Sequence, residues 1–192
     1  MGSLSKITAM FIFLILVLVL IAGSIIIFLP HKSSKVSSNL ISQENMKITS
    51  SAFEAYQLIP PKYTCDGEDI NPPLTIEGVP AEAKSLVLIM DDPDSPSGNW
   101  DHWLVWNINP QTNEIKENSV PVGAILGIND FNKLEYGGPC PGSGTHRYSF
   151  RIYALDNVLN LEQGAGKSAL EKAMTSHIIG QVELIGKYGC TK

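Results

Sequence analysis

The chain has 192 residues, 44% of them hydrophobic and 17% charged, which leaves room for one ordinary domain plus a tail and excludes a disordered or collagen-like polymer. The formal net charge is −5, but every acidic residue lies at or beyond Glu44, so that from Val36 onward 11 bases face 19 acids. A domain this acidic is unsuited to binding nucleic acid or an anionic membrane surface by bulk charge, and any phosphate it recognises has to be held in a local pocket.

The first segment is of a different material. Ile7 to Leu29 is an uncharged run of 23 residues rich in Leu, Ile, Val and Phe. As a helix it would reach ~34 Å, enough to cross a bilayer core of ~30 Å. The run is long for the core of a cleaved signal peptide, and no A-x-A site follows it. Leu20-Ile21-Ala22-Gly23 resembles the start of a lipoprotein signal, but Ser24 stands where the lipid-bearing cysteine belongs. The expectation is an uncleaved single-pass anchor over residues 1–30, with the transmembrane helix at about 7–29. A Ser-rich flexible linker then covers residues 31–45. Residues 46–192 form a folded domain outside the cytoplasm, periplasmic or on the cell surface. Basic residues flank both ends of the apolar run, so charge leaves its orientation open.

From Met46 onward short apolar runs alternate with Pro, Gly, Asn and Asp clusters, the pattern of a mostly-β chain. Strands are predicted at Lys47 to Phe53, Leu74 to Ile76, Ser85 to Met90, His102 to Ile108, Tyr148 to Ala154 and Val182 to Tyr188. The stretch from Ile59 to Pro73 contains four prolines and an Asp-Gly turn, through which no helix can run. Ser85 to Met90 is apolar throughout, as expected of a strand buried on both faces. One helix is predicted near the end, with Ser168 and Glu171 as a capping box and His177 structural on its apolar side. Few helices and no βαβ alternation predict an antiparallel β-sandwich or a related mostly-β fold.

Cys65, Cys140 and Cys190 match no metal-binding spacing. One pair could form a disulfide in an oxidising compartment. Spacing does not choose it, and three inert thiols are the alternative. Cys65 with Cys140 is favoured because both lie in turn-rich segments near the candidate site.

Three elements carry chemistry. Asp91-Asp92-Pro93-Asp94-Ser95-Pro96 follows the buried strand as a rigid acidic turn, where a cis bond before Pro93 or Pro96 is plausible. Read alone, it is a solvated turn. Asn99 to Asn107 holds all three tryptophans and His102, and strand alternation would put His102, Leu104 and Trp106 on one face. Alone, His102 is a satisfied core histidine. Of the tryptophans, Trp100 beside the acidic turn is the one best placed to stack on a ligand. Gly137 to Thr145 has four glycines and two prolines, able to present backbone N–H groups to an anion, but it is not a P-loop. It leads into a strand with His146 and Tyr148 on one face. Arg147 and Arg151 lie on the other and are expected to form ion pairs. If the three elements converge, Asp92, His102, His146, Tyr148 and the Gly138-Pro139 backbone make one pocket. Imidazolium and N–H groups there would hold a phosphate or carboxylate, and the carboxylate would take an ammonium group or orient a histidine.

Asp92-Pro93-Asp94-x-Pro96, His102 on its aromatic strand, and Gly138-Pro139-x-x-Gly-x-Gly-x-His146-Arg147-Tyr148, in that order, resemble the phosphatidylethanolamine-binding protein family. The closer likeness is to its bacterial and archaeal, Raf-kinase-inhibitor-like branch. YTCDGEDINPPL, GINDF and HRYSFRIYALD share that look, and the resemblance spans roughly Ile48 to Tyr188. It implies a β-sandwich with few helices and a pocket for phosphate-type anions, including phospholipid head groups. By motif Asp92, His102, Pro139, His146 and Tyr148 would line the pocket. Asp94 and Pro96 would shape the acidic turn, and Gly138 would offer backbone. A C-terminal helix that closes the pocket in mammalian members has no counterpart after Tyr188, so a more open pocket is expected.

Three functions compete. The favoured one is a membrane-tethered, non-enzymatic binding protein for a small anionic ligand such as a phosphate ester or phospholipid head group. It needs no cofactor, resident metal or nucleic acid. The second is an inhibitor of a protease or kinase acting through protein contacts. The third is an enzyme using Asp92, His102 and His146 as a 2-His-1-carboxylate metal site or as acid and base. Against a serine hydrolase, no Gly-x-Ser-x-Gly elbow is present.

Overall fold

The computed structural model describes residues 46–189, so the expected anchor, the linker and Cys190 lie outside the described residues. Among the described residues no helix is long and apolar enough to cross a membrane. The strands are β1 (Lys47–Thr49), β2 (Leu74–Glu77), β3 (Ser85–Asp92), β4 (Trp100–Ile108), β5 (Glu114–Ile115), β6 (Ile125–Leu126), β7 (Thr145–Leu155) and β8 (Ile178–Gly189). One α-helix, α1 (Lys167–Met174), continues into a 3-10 turn at Thr175–His177, and a second 3-10 turn lies at Pro61–Tyr63. The strands form a three-stranded sheet, β1-β2-β5, and a five-stranded sheet, β6-β4-β3-β7-β8, antiparallel at every pairing. The expectation of a mostly-β chain with antiparallel sheets and few helices holds.

β3 is the spine. All eight of its residues are buried, because both faces are covered. On one face Leu86, Leu88 and Met90 pack with Phe150, Ile152 and the apolar side of the small sheet, Ile48, Leu74, Ile76 and Ile115. On the other, Val87 and Ile89 pack with Leu104, Trp106, Leu155 and Leu159, and Leu170 and Met174 of α1 close the layer. Each aliphatic side chain so buried contributes about 1.5–3 kcal/mol, which is why an uninterrupted apolar run sits at the centre of the sheet.

Several expectations need correction. β1 ends at Thr49 rather than Phe53, because the Ser50 hydroxyl donates to the Pro73 carbonyl (2.7 Å) and accepts from the Ala52 amide (3.1 Å), turning the chain out of the sheet. The proline-rich stretch does hold a 3-10 turn, with a proline at its start, where its missing N–H costs nothing. No peptide bond among the described residues is cis, including those before Pro93 and Pro96. The Ser168–Glu171 capping box does not form: Gly166 is the N-cap, and its carbonyl accepts from Ala169 and Leu170. His177 lies off the apolar side of α1, half-exposed beside Asp156 at 2.8 Å.

The correction that matters for the site is in β4. Met90 lies opposite Trp103 and Asp91 opposite Asp101, so His102 is an extra residue in the ladder. Such a bulge shifts the alternation by one. Leu104 and Trp106 face α1, whereas His102 turns to the opposite face and meets the Tyr148 ring edge-on at 5.2 Å.

Candidate functional site

Asp91 and Asp92 are consecutive at the end of β3, so pleating sends them to opposite faces of the sheet. Asp92 faces the small-sheet side. Its Oδ1 accepts from the Asp94 amide at 2.9 Å, closing the turn, and its Oδ2 accepts from His146 Nδ1 at 2.7 Å. Asp92 is almost wholly buried, while 12% of the His146 side chain remains accessible. The His146 ring stacks on Tyr148 with centroids 6.5 Å apart, and Tyr148 in turn abuts His102. Asp92, His102, His146 and Tyr148, drawn from β3, β4 and β7, therefore form one contiguous group.

His102 is 2% exposed and held from two sides. Its Nδ1 donates to the Gly137 carbonyl at 2.6 Å, and its backbone carbonyl accepts from the Gly137 amide and from Asn129 Nδ2. Phe131 lies edge-on to it at 5.2 Å. Burial pushes the His102 pKa down despite the Gly137 carbonyl and nearby Asp92, favouring the neutral ring with its proton on Nδ1. The expectation of an imidazolium thus does not hold for His102. The Tyr148 hydroxyl is fully buried and makes no well-formed hydrogen bond, although the Cys140 amide and the Asp92 carboxylate lie beside it. Burial first, then the Asp92 charge, raises its pKa, so the phenol stays protonated and able to donate.

The remaining predicted residues play other parts. Asp94 is spoken for by Arg147, whose backbone N and Nε donate at 2.9 Å and whose terminal nitrogen donates at 2.6 Å. The Arg147 side chain beside it holds the Asp94 carboxyl down at about 2. Pro96 is an exposed residue of the turn. The Gly138 amide donates to Asp69 Oδ1 at 2.6 Å, so it is not free for a ligand. A Cβ on Gly138 would stand 2.5 Å from that oxygen and 2.7 Å from the Tyr63 carbonyl, which explains the glycine. Pro139 is buried, and its carbonyl accepts from the Cys65 amide at 3.2 Å. The favoured Cys65–Cys140 disulfide is formed and ties these two loops together.

Sequence reasoning gave no role to Asp69, Asn129 or Phe131, though all three lie in segments that carried the family resemblance. It also missed a charge cluster on the other face. There Asp91, 1% exposed, accepts from Asn99 Nδ2 at 2.7 Å, from Lys167 Nζ at 2.6 Å and from Arg151. Lys167 also donates to Asp101 at 2.9 Å. Burial disfavours the Lys167 charge, but the two carboxylates outweigh it and raise its pKa. The ion pairs expected of Arg147 and Arg151 are both present. A groove of about 470 Å³ lined by Arg151, Tyr153, Gln181, Val182 and Glu183 opens on this face, away from the histidines. Among the described residues no three His, Cys, Asp or Glu side chains are grouped to hold a metal ion.

Known proteins resemble this chain. Residues 49–189 match the family model described as phosphatidylethanolamine-binding protein. A UPF0098 protein of Methanothermobacter thermautotrophicus is 51% identical over 148 residues, covering 74% of this chain and 98% of its own. The UPF0098 protein PH1269 of Pyrococcus horikoshii is 50% identical over 156 residues, covering 76% and 78%. Among solved structures, the Chlamydia trachomatis phosphatidylethanolamine-binding protein homologue CT736 superposes with a TM-score of 0.74 at 44% identity, covering 77% of this chain and 99% of its own. Escherichia coli YbcL, described as a member of the mammalian family, superposes at 0.72 with 26% identity and the same coverage. The chain belongs to the phosphatidylethanolamine-binding protein family.

Proposed function

We propose that the protein is a membrane-tethered binding protein whose pocket between β3, β4 and β7 takes a small phosphate-type anion, either a free phosphate ester or a phospholipid head group. The observation that carries this reading is the buried Tyr148 hydroxyl, a protonated donor that makes no well-formed hydrogen bond although the Asp92 carboxylate and the Cys140 amide lie beside it, next to a histidine that keeps accessible surface. An orphaned buried donor costs about 1–3 kcal/mol, a cost that a ligand oxygen would relieve. His146, when protonated against Asp92, supplies the positive charge. His102, neutral and sealed from solvent with its proton on Nδ1, backs the Tyr148 ring and does not meet the ligand itself. The apolar run Ile7 to Leu29 supports the tether. The Cys65–Cys140 disulfide supports an oxidising compartment outside the cytoplasm.

Calorimetry with phosphoethanolamine tests the pocket. Binding should be lost in His146→Ala. Equal heats in the two proteins, or no heat in either, would remove the reading.

A further inference from the structure

The His146 imidazole is set up for more than binding. Its Nδ1–H donates to Asp92 at 2.7 Å, and the other oxygen of that carboxylate is pinned by the Asp94 amide, so neither ring nor carboxylate is free to swing away. A buried carboxylate on Nδ1 fixes the tautomer in which Nε2 carries the lone pair, and it stabilises the imidazolium formed when Nε2 reacts. No protein group among the described residues bonds His146 Nε2, and the side chain retains accessible surface. The Tyr148 ring stacks on the imidazole, and its O–H, which makes no well-formed hydrogen bond, is a donor on offer to oxygens of a group arriving at the histidine.

The two other described histidines lack this combination. His102 uses Nδ1 on a neutral carbonyl and is sealed from solvent. His177 pairs with Asp156, but that pair is open to water, with the two side chains 37% and 50% exposed.

We propose that His146 Nε2 is a phosphoryl-acceptor site, modified by small acyl phosphates that enter the pocket. This rests on the reading that the pocket takes a phosphate group. In the neutral ring the Nε2 lone pair attacks phosphorus, an N–P bond forms, and the P–O bond to the acyl group breaks. The carboxylate leaves with the electron pair of that bond and needs no proton. The product is a phosphorylated imidazolium whose Nδ1 proton remains hydrogen-bonded to Asp92. The Asp92 negative charge balances the new cation, and Tyr148 donates to a phosphoryl oxygen. No oxidant, metal or second substrate is required.

The test is to incubate the full chain with acetyl phosphate at mildly alkaline pH and measure intact mass, then map the modification under non-acidic conditions. Phosphoethanolamine calorimetry is run on the same preparation. The expected result is a gain of one phosphoryl group on residue 146 that is stable to base and labile to acid. It should be absent in His146→Ala and unchanged in His177→Ala. Asp92→Asn should label about a hundredfold more slowly, with its circular dichroism and unfolding cooperativity intact. Wild-type protein that binds phosphoethanolamine yet gains no phosphoryl group overturns the acceptor role and leaves the binding site standing. Protein that shows neither overturns both. Labelling that maps elsewhere, or survives in His146→Ala, overturns the acceptor role alone.

Discussion

Asp91→Asn should lower stability sharply while leaving the anion binding proposed for the His146 side intact. The Asp91 carboxylate is 1% exposed and is the shared acceptor for Asn99, Lys167 and Arg151. Removing one partner of a buried ion pair costs about 3–5 kcal/mol, because the other charge is left uncompensated. Here the loss falls at the lower end, about 3 kcal/mol, since Lys167 keeps Asp101 at 2.9 Å and Arg151 is 30% exposed and can hydrate. At roughly 3 °C per kcal/mol for a domain of this size, the midpoint should fall by about 10 °C. Differential scanning calorimetry at low and high salt measures it. A buried cluster should show nearly the same loss in both, because salt screens exposed pairs far more than buried ones. Phosphoethanolamine affinity, measured well below the transition, should stay within about twofold of wild type, a difference of under 0.5 kcal/mol. His146→Ala should abolish binding and lower the midpoint less than Asp91→Asn does, because Asp92 keeps the Asp94 amide as a donor. A midpoint loss under about 3 °C, or an affinity loss in Asp91→Asn comparable with that of His146→Ala, would refute the claim that the two faces of β3 carry separate tasks.

Tyr148→Phe removes a buried hydroxyl that makes no well-formed hydrogen bond, so stability should change by no more than about 1 kcal/mol while anion affinity drops about tenfold; a larger loss of stability in thermal unfolding would mean the hydroxyl is firmly bonded within the protein. Reducing the Cys65–Cys140 disulfide, which closes a separation of 75 residues, should cost about 2–4 kcal/mol, read as a shift in urea midpoint with and without a thiol reductant. Asp94 has its folded-state pKa depressed from 3.8 to about 2. Its stabilisation is therefore complete above pH 3.8 and is lost as pH falls through the folded value; the pair with Arg147 is open to solvent, so the loss is about 1 kcal/mol. Asp94→Asn should flatten the acid limb of a pH–stability curve by that amount. His102 is depressed by burial, so the unfolded chain binds its proton more readily and stability should decline as pH drops below about 6.5; His102→Gln should remove that decline.

How far the site was legible follows from topology. β3 lies between β4 and β7, and both pairings are antiparallel. The end where β3 stops at Asp92 is therefore the end where β4 and β7 begin. A proline turn after one strand and histidines near the start of two others meet because neighbouring antiparallel strands put opposite chain ends side by side. Apolar runs and turn residues reveal such strands, which is why Asp92, His102, His146 and Tyr148 could be named together before any coordinates. Alternation read from sequence assumes an unbroken phase, and one inserted residue at His102 reverses it. A His102 left on the face of Leu104 and Trp106 would have been a core histidine under α1, so His102 joins Asp92, His146 and Tyr148 because the ladder is irregular there. The failed capping box has a related cause. Ser168 and Glu171 have the right spacing, but the first residue of α1, Lys167, reaches into β3 and β4 to bond Asp91 and Asp101. A cation at a helix N-terminus opposes the helix dipole. Two carboxylates from the sheet outweigh that local preference, and their separation in sequence from Lys167 hides them from any reading of one segment at a time. The same holds for Asp69, 69 residues from the Gly138 amide it binds. Local pattern locates the strands and their turns; the polar groups that decide which N–H remains free for a ligand come from elsewhere in the chain.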